Sequence, residues 1–188
     1  MKLYLIRHGQ TETNRKHCWT GWLDIPLTEE GRRDAEHARR VLADIKPDKV
    51  FSSDLGRAQE TARIVVGDTP IELTPLLREI HVGSYAGRPF SILTPELDHY
   101  LSVNGYREAG GESYAEFAAR LDRFLCEVRA LDCDTVMAFT HGGTLFTFLD
   151  RVVGMNLPRT RFSCSNCTVV GFESTADGGW RLFYWNAP

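Results

Sequence analysis

Short apolar runs alternate with stretches of helical periodicity along this chain, and this alternation restricts its fold more than any other feature. The runs at 2–6, 49–52 and 135–139 have the length and the apolar composition of buried strands. Strands that alternate with helices form a mainly parallel sheet whose two faces are covered by helices. We therefore predict an α/β fold built as a three-layer sandwich.

Helices are predicted where a capping residue precedes apolar positions at helical spacing. Thr28 is placed to cap a helix that runs to about residue 44, and Ser53 or Asp54 to cap a second helix. Ser113 and Glu116 form a capping box in front of a third helix. The apolar spacing predicts that each helix buries one face against the sheet.

The rest of the chain divides into one more helix, a hairpin and an irregular stretch. The helix is predicted over 144–153, and the runs 168–173 and 180–185 flank a turn typical of a β-hairpin. The stretch 68–111 is rich in proline and glycine, and we interpret it as loop and lid segments. At 188 residues the chain is expected to be a single domain, 1–188, with a lid-like insertion around 86–112.

Composition and charge exclude several classes of partner. The net charge of -3 gives no general attraction to nucleic acid or to an anionic membrane surface. No apolar run approaches the roughly 20 residues that a membrane-spanning helix needs. The five cysteines are an odd number, so we expect reduced thiols and a cytoplasmic location. Any anion-binding site must then be a local cluster of positive groups.

Such a cluster is predicted where three strands give way to helices. Arg7 and His8 follow the first strand, Arg57 lies in the first turn of the helix after the second, and His141 follows the third. In open α/β sheets ligands bind beyond the carboxyl ends of the strands, near helix N-termini that favour anions. We therefore expect two arginines and two histidines to meet at one rim of the sheet.

This combination of side chains indicates phosphoryl chemistry. Arginine guanidinium groups match phosphate oxygens in paired geometry and stay charged. A neutral imidazole is a competent nucleophile near neutral pH, because its unperturbed pKa is about 6.5. Phosphoryl transfer depends mostly on positioning and on neutralising the phosphoryl oxygens. Two arginines and a second histidine suit that task, so we expect neither a metal nor a cofactor.

The sequence also resembles a known family, in blocks that occur in the family's order. The blocks are LIRHGQTETN at 5–14, WTGWLDIPLTEEG at 19–31, FSSDLGRAQETA at 51–62, LREIHVG at 77–83, GES at 111–113 and THGG at 140–143. They resemble the motifs of the histidine phosphatase superfamily, also called the phosphoglycerate mutase-like family. The short frame is similar to that of α-ribazole phosphatases. The resemblance implies a phosphoglycerate mutase-like fold.

The resemblance also implies a role for each matching position. His8 corresponds to the phosphorylated nucleophile, and Glu79 to the group that protonates the leaving oxygen and then deprotonates the attacking water. Where many family phosphatases carry a second glutamate, this chain has Ala86, which leaves Glu79 as the acid candidate. Residues implied to hold the phosphoryl group or the adjoining substrate are Arg7, Asn14, Thr20, Gly21, Arg57, His141 and Gly142.

Three functions stay open at this point. The first is a phosphomonoesterase acting on a small phosphorylated metabolite, the second a phosphoglycerate mutase-like phosphotransferase, and the third a non-catalytic phospho-ligand-binding protein. The mutases of this family usually carry a longer and more basic insertion than the segment 88–112, whose cations are Arg88 and Arg107. The third function is disfavoured because the nucleophile and the acid are both present. The sequence also leaves open whether the chain forms a homodimer.

Cys164 and Cys167 form a C-x-x-C pattern of the kind found in redox and zinc sites. Redox motifs of this kind open a helix, which lowers the pKa of the thiol, whereas this one precedes a predicted strand. Together with Cys126 and Cys133 it offers four thiolates, the number that a structural zinc site uses. We expect neither a redox role nor a metal site here.

Overall fold

A computed structural model of the chain describes residues 1–154 and 164–186. A six-stranded sheet runs through the described part, with the strands in the order β3-β2-β4-β1-β5-β6. The strands are β1 (Lys2–Arg7), β2 (Lys49–Ser53), β3 (Glu72–Thr74), β4 (Thr135–Thr140), β5 (Val169–Ser174) and β6 (Trp180–Asn186).

Helices fill the connections between these strands. They are α1 (Glu12–Arg15), α2 (Glu29–Val41), α3 (Gly56–Val66), α4 (Pro95–Asn104), α5 (Tyr114–Arg129) and α6 (Gly142–Val153). The predicted parallel core is confirmed, because β1 pairs with β4, β4 with β2 and β2 with β3 in parallel. The predicted hairpin is confirmed as well, and its strand β5 adds to β1 in antiparallel orientation.

The register of the parallel strands decides which residues meet at the rim. Arg7 lies opposite Thr140, so the next residues, His8 and His141, leave the sheet side by side. Ser52 lies opposite Phe139, which brings the end of β2 to the same level. Because β5 runs the other way, its first residues lie beside the last residues of β1. The carboxyl ends of three strands and the start of a fourth therefore share one edge.

The sheet buries both of its faces, as a three-layer sandwich requires. On one face Leu5 packs with Phe124 of α5 and Phe148 of α6. On the other face Ile6 packs with Ala38 of α2 and with residues of α3. Successive side chains of a strand point to opposite faces, so neighbouring residues of β1 enter different cores. This explains why the central strands read as continuous apolar runs in the sequence.

The predicted cap of α3 was wrong. Neither Ser53 nor Asp54 caps that helix, whose N-cap residue is Leu55 without a side-chain bond. The backbone N–H of Gly56 donates instead to Asp24, 3.0 Å away and far off in the sequence. Asp54 forms a paired salt bridge with Arg78 at 2.6 Å and is not free to cap. The cap is a tertiary contact, which local patterns do not reveal.

The stretch 68–111 contains more regular structure than the sequence predicted. It includes strand β3 and helix α4, which Thr94 caps with its side chain. Helix α2 also ends earlier than expected, at Val41. The capping box of Ser113 and Glu116 is confirmed at the start of α5. No helix among residues 1–154 and 164–186 is long and apolar enough to cross a membrane.

Candidate active site

A pocket of about 530 Å³ opens at the carboxyl edge of the sheet, where the predicted site residues were expected to meet. Those that line it are Arg7, His8, Asn14, Thr20, Arg57, Glu79 and Gly142. His141 and Gly21 lie directly behind this surface and contact the lining residues. The His141 ring is 5.1 Å from that of His8, and the carbonyl oxygen of Gly21 accepts a 2.8 Å hydrogen bond from Arg57.

The His8 ring is buried and held in one orientation. Its Nδ1 lies 2.7 Å from the carbonyl oxygen of Gly9. A carbonyl oxygen only accepts hydrogen bonds, so Nδ1 is the protonated nitrogen and Nε2 keeps its lone pair. The Nε of Arg57 donates to that Nε2 over 3.2 Å, as expected for an unprotonated nitrogen. The lone pair of His8 Nε2 therefore points to the guanidinium that is best placed to bind an anion.

Glycine is required directly after His8. A Cβ on Gly9 would overlap the backbone carbonyl of Gly31, at the start of α2. The backbone N–H of Gly9 also donates to the hydroxyl of Thr61 in α3 over 3.0 Å. The turn after β1 is thus fixed by two helices, and this turn carries the carbonyl that orients His8.

Arg57 is fully buried and reaches the pocket from the first turn of α3. Its terminal nitrogens donate to the carbonyl oxygens of Leu23 and Gly21, both at 2.8 Å. Burial lowers the pKa of Arg57 to about 10. The side chain therefore stays charged at neutral pH, and two of its five N–H groups are left for a ligand.

Arg7 and His141 carry polar atoms that the described residues leave unpaired. One terminal nitrogen of Arg7 donates to the carbonyl oxygen of Cys164, while its Nε is buried without a partner among residues 1–154 and 164–186. His141 shares a 2.9 Å hydrogen bond with the hydroxyl of Ser53 through Nε2, and in the same part of the chain its Nδ1 has no partner. Buried polar atoms of this kind usually bind a ligand or water.

Burial and positive charge act together on the two histidines. The pKa of His8 lies well below its usual value, first because the ring is buried and then because Arg57 and Arg7 are close. Burial followed by Arg57 lowers the pKa of His141 in the same way. Both imidazoles are therefore neutral near pH 7, although they stand in a positive field. An anion would be attracted to this field.

Backbone N–H groups hold the carboxylate of Glu79 at the edge of the pocket. Its oxygens accept hydrogen bonds from Ile80 at 2.9 Å and from Gly143 at 3.0 Å, the latter at the N-terminus of α6. A side chain at Gly143 would overlap the carboxylate and would displace it from this position. Helix N-termini favour negative charge, which fits a carboxylate at this position.

The backbone of Glu79 is held by residues that the sequence did not single out. Arg120 of α5 donates to its carbonyl oxygen over 3.2 Å and to the carbonyl oxygens of Pro75, Leu76 and Arg78. The same guanidinium forms a paired salt bridge with Glu112, with both contacts near 3 Å. Trp22 donates to the Glu79 carbonyl from the other side, over 2.6 Å. Hydrogen bonds from Arg120 and Trp22 thus fix the loop that carries Glu79, the acid candidate.

Asn14 and Thr20 lie on the loop side of the pocket, and Asn166 joins them. The side-chain oxygen of Asn14 accepts bonds from Thr11 and from Asn166, the latter at 3.2 Å. Asn166 also donates to the His8 carbonyl oxygen over 3.0 Å, and Thr20 shares a 2.6 Å bond with Thr13. The sequence pattern did not indicate Asn166, which lies between the two cysteines of the C-x-x-C motif. Its place before an antiparallel strand next to β1 is the signal that could have revealed it.

The four cysteines considered as a zinc site do not come together. Cys164 packs in the core under α5 and α6, whereas Cys167 packs in the core under α2 and α3. Cys126 is exposed and Cys133 is partly exposed. Across residues 1–154 and 164–186 no group of three or more histidine, cysteine, aspartate or glutamate side chains has the arrangement of a metal site.

Comparison with known proteins supports the resemblance seen in the sequence. The model of the histidine phosphatase superfamily (branch 1) matches residues 3–188. The Adenosylcobalamin/alpha-ribazole phosphatase of Escherichia coli (strain K12) is 30% identical over 163 residues, 82% of this chain and 80% of that protein. A protein of Yersinia pestis (strain Pestoides F) named "Probable phosphoglycerate mutase GpmB" is 32% identical over 178 residues, 90% of this chain and 83% of that protein.

A similar fold is found among solved structures. The mycobacterial glucosyl-3-phosphoglycerate phosphatase complexed with VO3 superimposes with a TM-score of 0.85 at 27% identity. The superposition covers 100% of this chain and 99% of the other. The relatives carry both phosphatase and mutase names, so the comparisons alone do not separate these two activities.

The buried neutral histidines make stability depend on pH. In the unfolded chain their pKa returns to about 6.5, so below that pH the unfolded state binds more protons than the folded one. The free energy of unfolding should therefore fall as the pH drops from 6.5 towards 5, by roughly 1 kcal/mol per pH unit for each histidine. Urea denaturation of the protein and of His141→Gln at pH 7.5 and 5 measures this loss.

The His141→Gln variant should lose less stability between the two pH values than the unmodified protein. His37→Gln provides the control, because His37 is exposed on α2 and should leave the pH dependence unchanged. An equal pH dependence in all three proteins would contradict a neutral, buried His141.

Proposed function

The chain belongs to the histidine phosphatase superfamily, and from this membership and the pocket geometry we propose that it is a phosphomonoesterase acting on a small phosphorylated metabolite. The observation that carries the proposal is the orientation of His8. Its Nδ1 is hydrogen-bonded to the Gly9 carbonyl, and its unprotonated Nε2 accepts a hydrogen bond from Arg57 in the pocket. This is the arrangement of a nucleophile beside a phosphoryl-binding group.

In the first step His8 takes the phosphoryl group. The lone pair of Nε2 attacks phosphorus, the bond from phosphorus to the ester oxygen breaks, and the leaving oxygen takes a proton from the carboxylic acid of Glu79. Nδ1 keeps its proton throughout and donates it in a hydrogen bond to the Gly9 carbonyl oxygen. The products of this step are the alcohol, a phosphohistidine and the Glu79 carboxylate.

In the second step water releases the phosphate. The Glu79 carboxylate takes a proton from the water, whose oxygen attacks phosphorus as the bond from Nε2 to phosphorus breaks. Inorganic phosphate leaves, and both side chains return to their starting protonation states. One carboxyl group serves as acid and then as base, which suits a pocket that offers Glu79 alone among its described carboxylates.

The phosphoryl oxygens would be bound by the positive groups around His8. Arg57 retains two N–H groups, and the buried Nε of Arg7 and Nδ1 of His141 lack partners in the described part of the chain. Asn14, Thr20 and the start of α6 at Gly142 complete the ring of polar groups around this end. Cationic groups neutralise the phosphoryl charge here, so we include independence from metal ions in the proposal.

The competing activity is that of a phosphoglycerate mutase, which a relative's name suggests. A mutase must protect the phosphohistidine from water and bind a second anionic group of its substrate. Arg88 and Arg107, the cations of the segment 88–112, are not among the described residues that line the pocket. The arginines among the described lining residues, Arg7 and Arg57, are thus the ones that would bind the phosphoryl group. This favours water as the acceptor of the phosphoryl group in the second step.

Phosphate release separates the two activities. We expect para-nitrophenyl phosphate and small phosphorylated alcohols to yield inorganic phosphate, and 3-phosphoglycerate with its bisphosphate primer to give little 2-phosphoglycerate. His8→Ala should lower phosphate release by at least about a thousandfold, because the nucleophile is lost. His37→Ala is the matched control and should keep full activity. Efficient interconversion of the two phosphoglycerates without phosphate release would establish the mutase instead.

Glu79 can be tested through the leaving group. Glu79→Gln keeps the size of the side chain and one of its two acceptor oxygens, but it cannot donate a proton to an alkoxide. Turnover of alkyl phosphates should fall by roughly 100-fold, within the usual contribution of a general acid, whereas para-nitrophenyl phosphate should suffer much less. The rate at which the leaving group is released in the first turnover, measured with an alkyl phosphate and with para-nitrophenyl phosphate, gives this difference. An equal loss on both would remove Glu79 from the acid role.

A further inference from the structure

The two histidines of the site form hydrogen bonds through different ring nitrogens, although their rings lie 5.1 Å apart. His8 has its Nδ1 against the Gly9 carbonyl oxygen and accepts a bond from Arg57 at Nε2. His141 instead has its Nε2 2.9 Å from the hydroxyl of Ser53, and its buried Nδ1 has no partner in the described part of the chain. The chemistry of His141 therefore depends on which of its two nitrogens carries the proton.

The neighbours of the Ser53 hydroxyl decide this question. Ser53 is the last residue of β2 and is fully buried. Its oxygen lies 3.3 Å from the backbone nitrogen of Leu55 and 2.9 Å from Nε2 of His141. The N–H of Leu55 only donates, so it occupies one lone pair of the hydroxyl oxygen. Among the described residues, Nε2 of His141 is then the acceptor that is left for the hydroxyl hydrogen.

The opposite tautomer of His141 leaves more buried groups unpaired. If Nε2 carried the proton, the Ser53 hydroxyl would face two donors, and its hydrogen would have no acceptor among the described residues. Nδ1 would at the same time be a buried acceptor without a donor. Because burial and then Arg57 hold the pKa of His141 well below its usual value, the ring is neutral and carries one proton. Buried polar groups are rarely left unpaired, which assigns that proton to Nδ1.

A proton on Nδ1 of His141 suits an anionic ligand. Phosphoryl oxygens accept hydrogen bonds, so they are attracted by an N–H and repelled by a lone pair. Gly142, the next residue, lines the pocket, and Arg7 has a second buried nitrogen without a partner in the same part of the chain. Donors that are fixed in place before the reaction stabilise the charge on the reacting group without reorganising.

We propose that Ser53 is a positioning residue that fixes the tautomer of His141, so that Nδ1 carries the proton and donates it in a hydrogen bond to the phosphoryl group. The proposal rests on the phosphatase function proposed above. The Gly9 carbonyl and the Ser53 hydroxyl then give two identical side chains different roles, because His8 offers a lone pair and His141 offers an N–H. Ser53 acts through His141 and is not among the described residues that line the pocket.

Nitrogen NMR of the imidazole rings tests the proposal without turnover. Protonated and unprotonated ring nitrogens have different ¹⁵N chemical shifts, so proton–nitrogen correlation spectra at pH 7.5 report the tautomer of each histidine. The signals of His141 are assigned by their loss in His141→Gln. In the unmodified protein we expect a protonated Nδ1 and an unprotonated Nε2. In Ser53→Ala the two shifts should move towards each other, because no hydroxyl then favours either tautomer.

Ser53→Ala should also weaken phosphoryl binding and turnover. Loss of a whole transition-state donor costs about 100-fold to 1,000-fold in kcat. We expect a smaller loss of kcat for para-nitrophenyl phosphate, roughly 10-fold, because part of the His141 rings still carry the proton on Nδ1. The affinity for inorganic phosphate, measured as a competitive inhibitor, should fall as well. Ser53→Thr keeps the hydroxyl and should restore the tautomer and most of the activity.

Ser52→Ala is the matched control. Ser52 is the neighbouring residue of β2 and is equally buried, but its hydroxyl donates to the Ser53 carbonyl oxygen over 2.9 Å and not to a histidine. The variant therefore removes a buried hydroxyl from the same strand. It should leave the His141 tautomer, kcat and the affinity for inorganic phosphate unchanged.

The outcomes separate this proposal from the proposed function. A proton on Nε2 of His141 in the unmodified protein would overturn the role of Ser53, and so would a Ser53→Ala variant with unchanged tautomer and phosphate affinity. Equal losses in Ser52→Ala would assign the effect to packing at the end of β2 and would also overturn it. No phosphate release by the unmodified protein would overturn the phosphatase function, while the spectra, which need no turnover, would still decide the role of Ser53.

Discussion

The hydrogen bond from Nδ1 of His8 to the carbonyl oxygen of Gly9 is the interaction on which the account of this site depends. It assigns the proton to Nδ1 and leaves Nε2 unprotonated, as the acceptor of a hydrogen bond from Arg57. The bond in turn depends on the turn after β1, which is packed so closely on Gly31 that only glycine fits at position 9. Backbone packing therefore decides the chemical identity of the exposed nitrogen. Burial and the neighbouring arginines then keep the ring neutral, with its pKa well below the usual value.

The same edge of the sheet collects the other parts of the site from distant positions. Parallel register places His141 beside His8, and the helix that follows presents the N–H of Gly143 to Glu79. Arg120 reaches the loop of Glu79 from another helix and pairs with Glu112. The loop of the acid candidate is therefore held by a largely buried arginine that is paired with a partly buried carboxylate.

The sequence predicted the parts of the fold that rest on local pattern. Apolar runs predicted the strands other than β3, and the capping box predicted the helix after Ser113. The motif blocks indicated His8, Arg57 and Glu79, which the structure brings to one pocket. Contacts between distant segments were not predictable, as the capping of α3 by Asp24 illustrates. Asn166 and Arg120 were missed for the same reason, since their roles arise from strand direction and helix packing. Helix α4 was not predicted, because the prolines and glycines of the stretch 68–111 are typical of loops.

The position of the phosphoryl group on the His8 ring tests the central claim most directly. The enzyme can be mixed with excess para-nitrophenyl phosphate, quenched with alkali within milliseconds and unfolded, and the phosphohistidine examined by phosphorus NMR and by peptide mapping. The account predicts one phosphorylated peptide, containing His8, with phosphorus on Nε2, because Nδ1 is occupied by its proton and the Gly9 carbonyl. Phosphorus on Nδ1, or phosphate turnover with label on another residue, would contradict it.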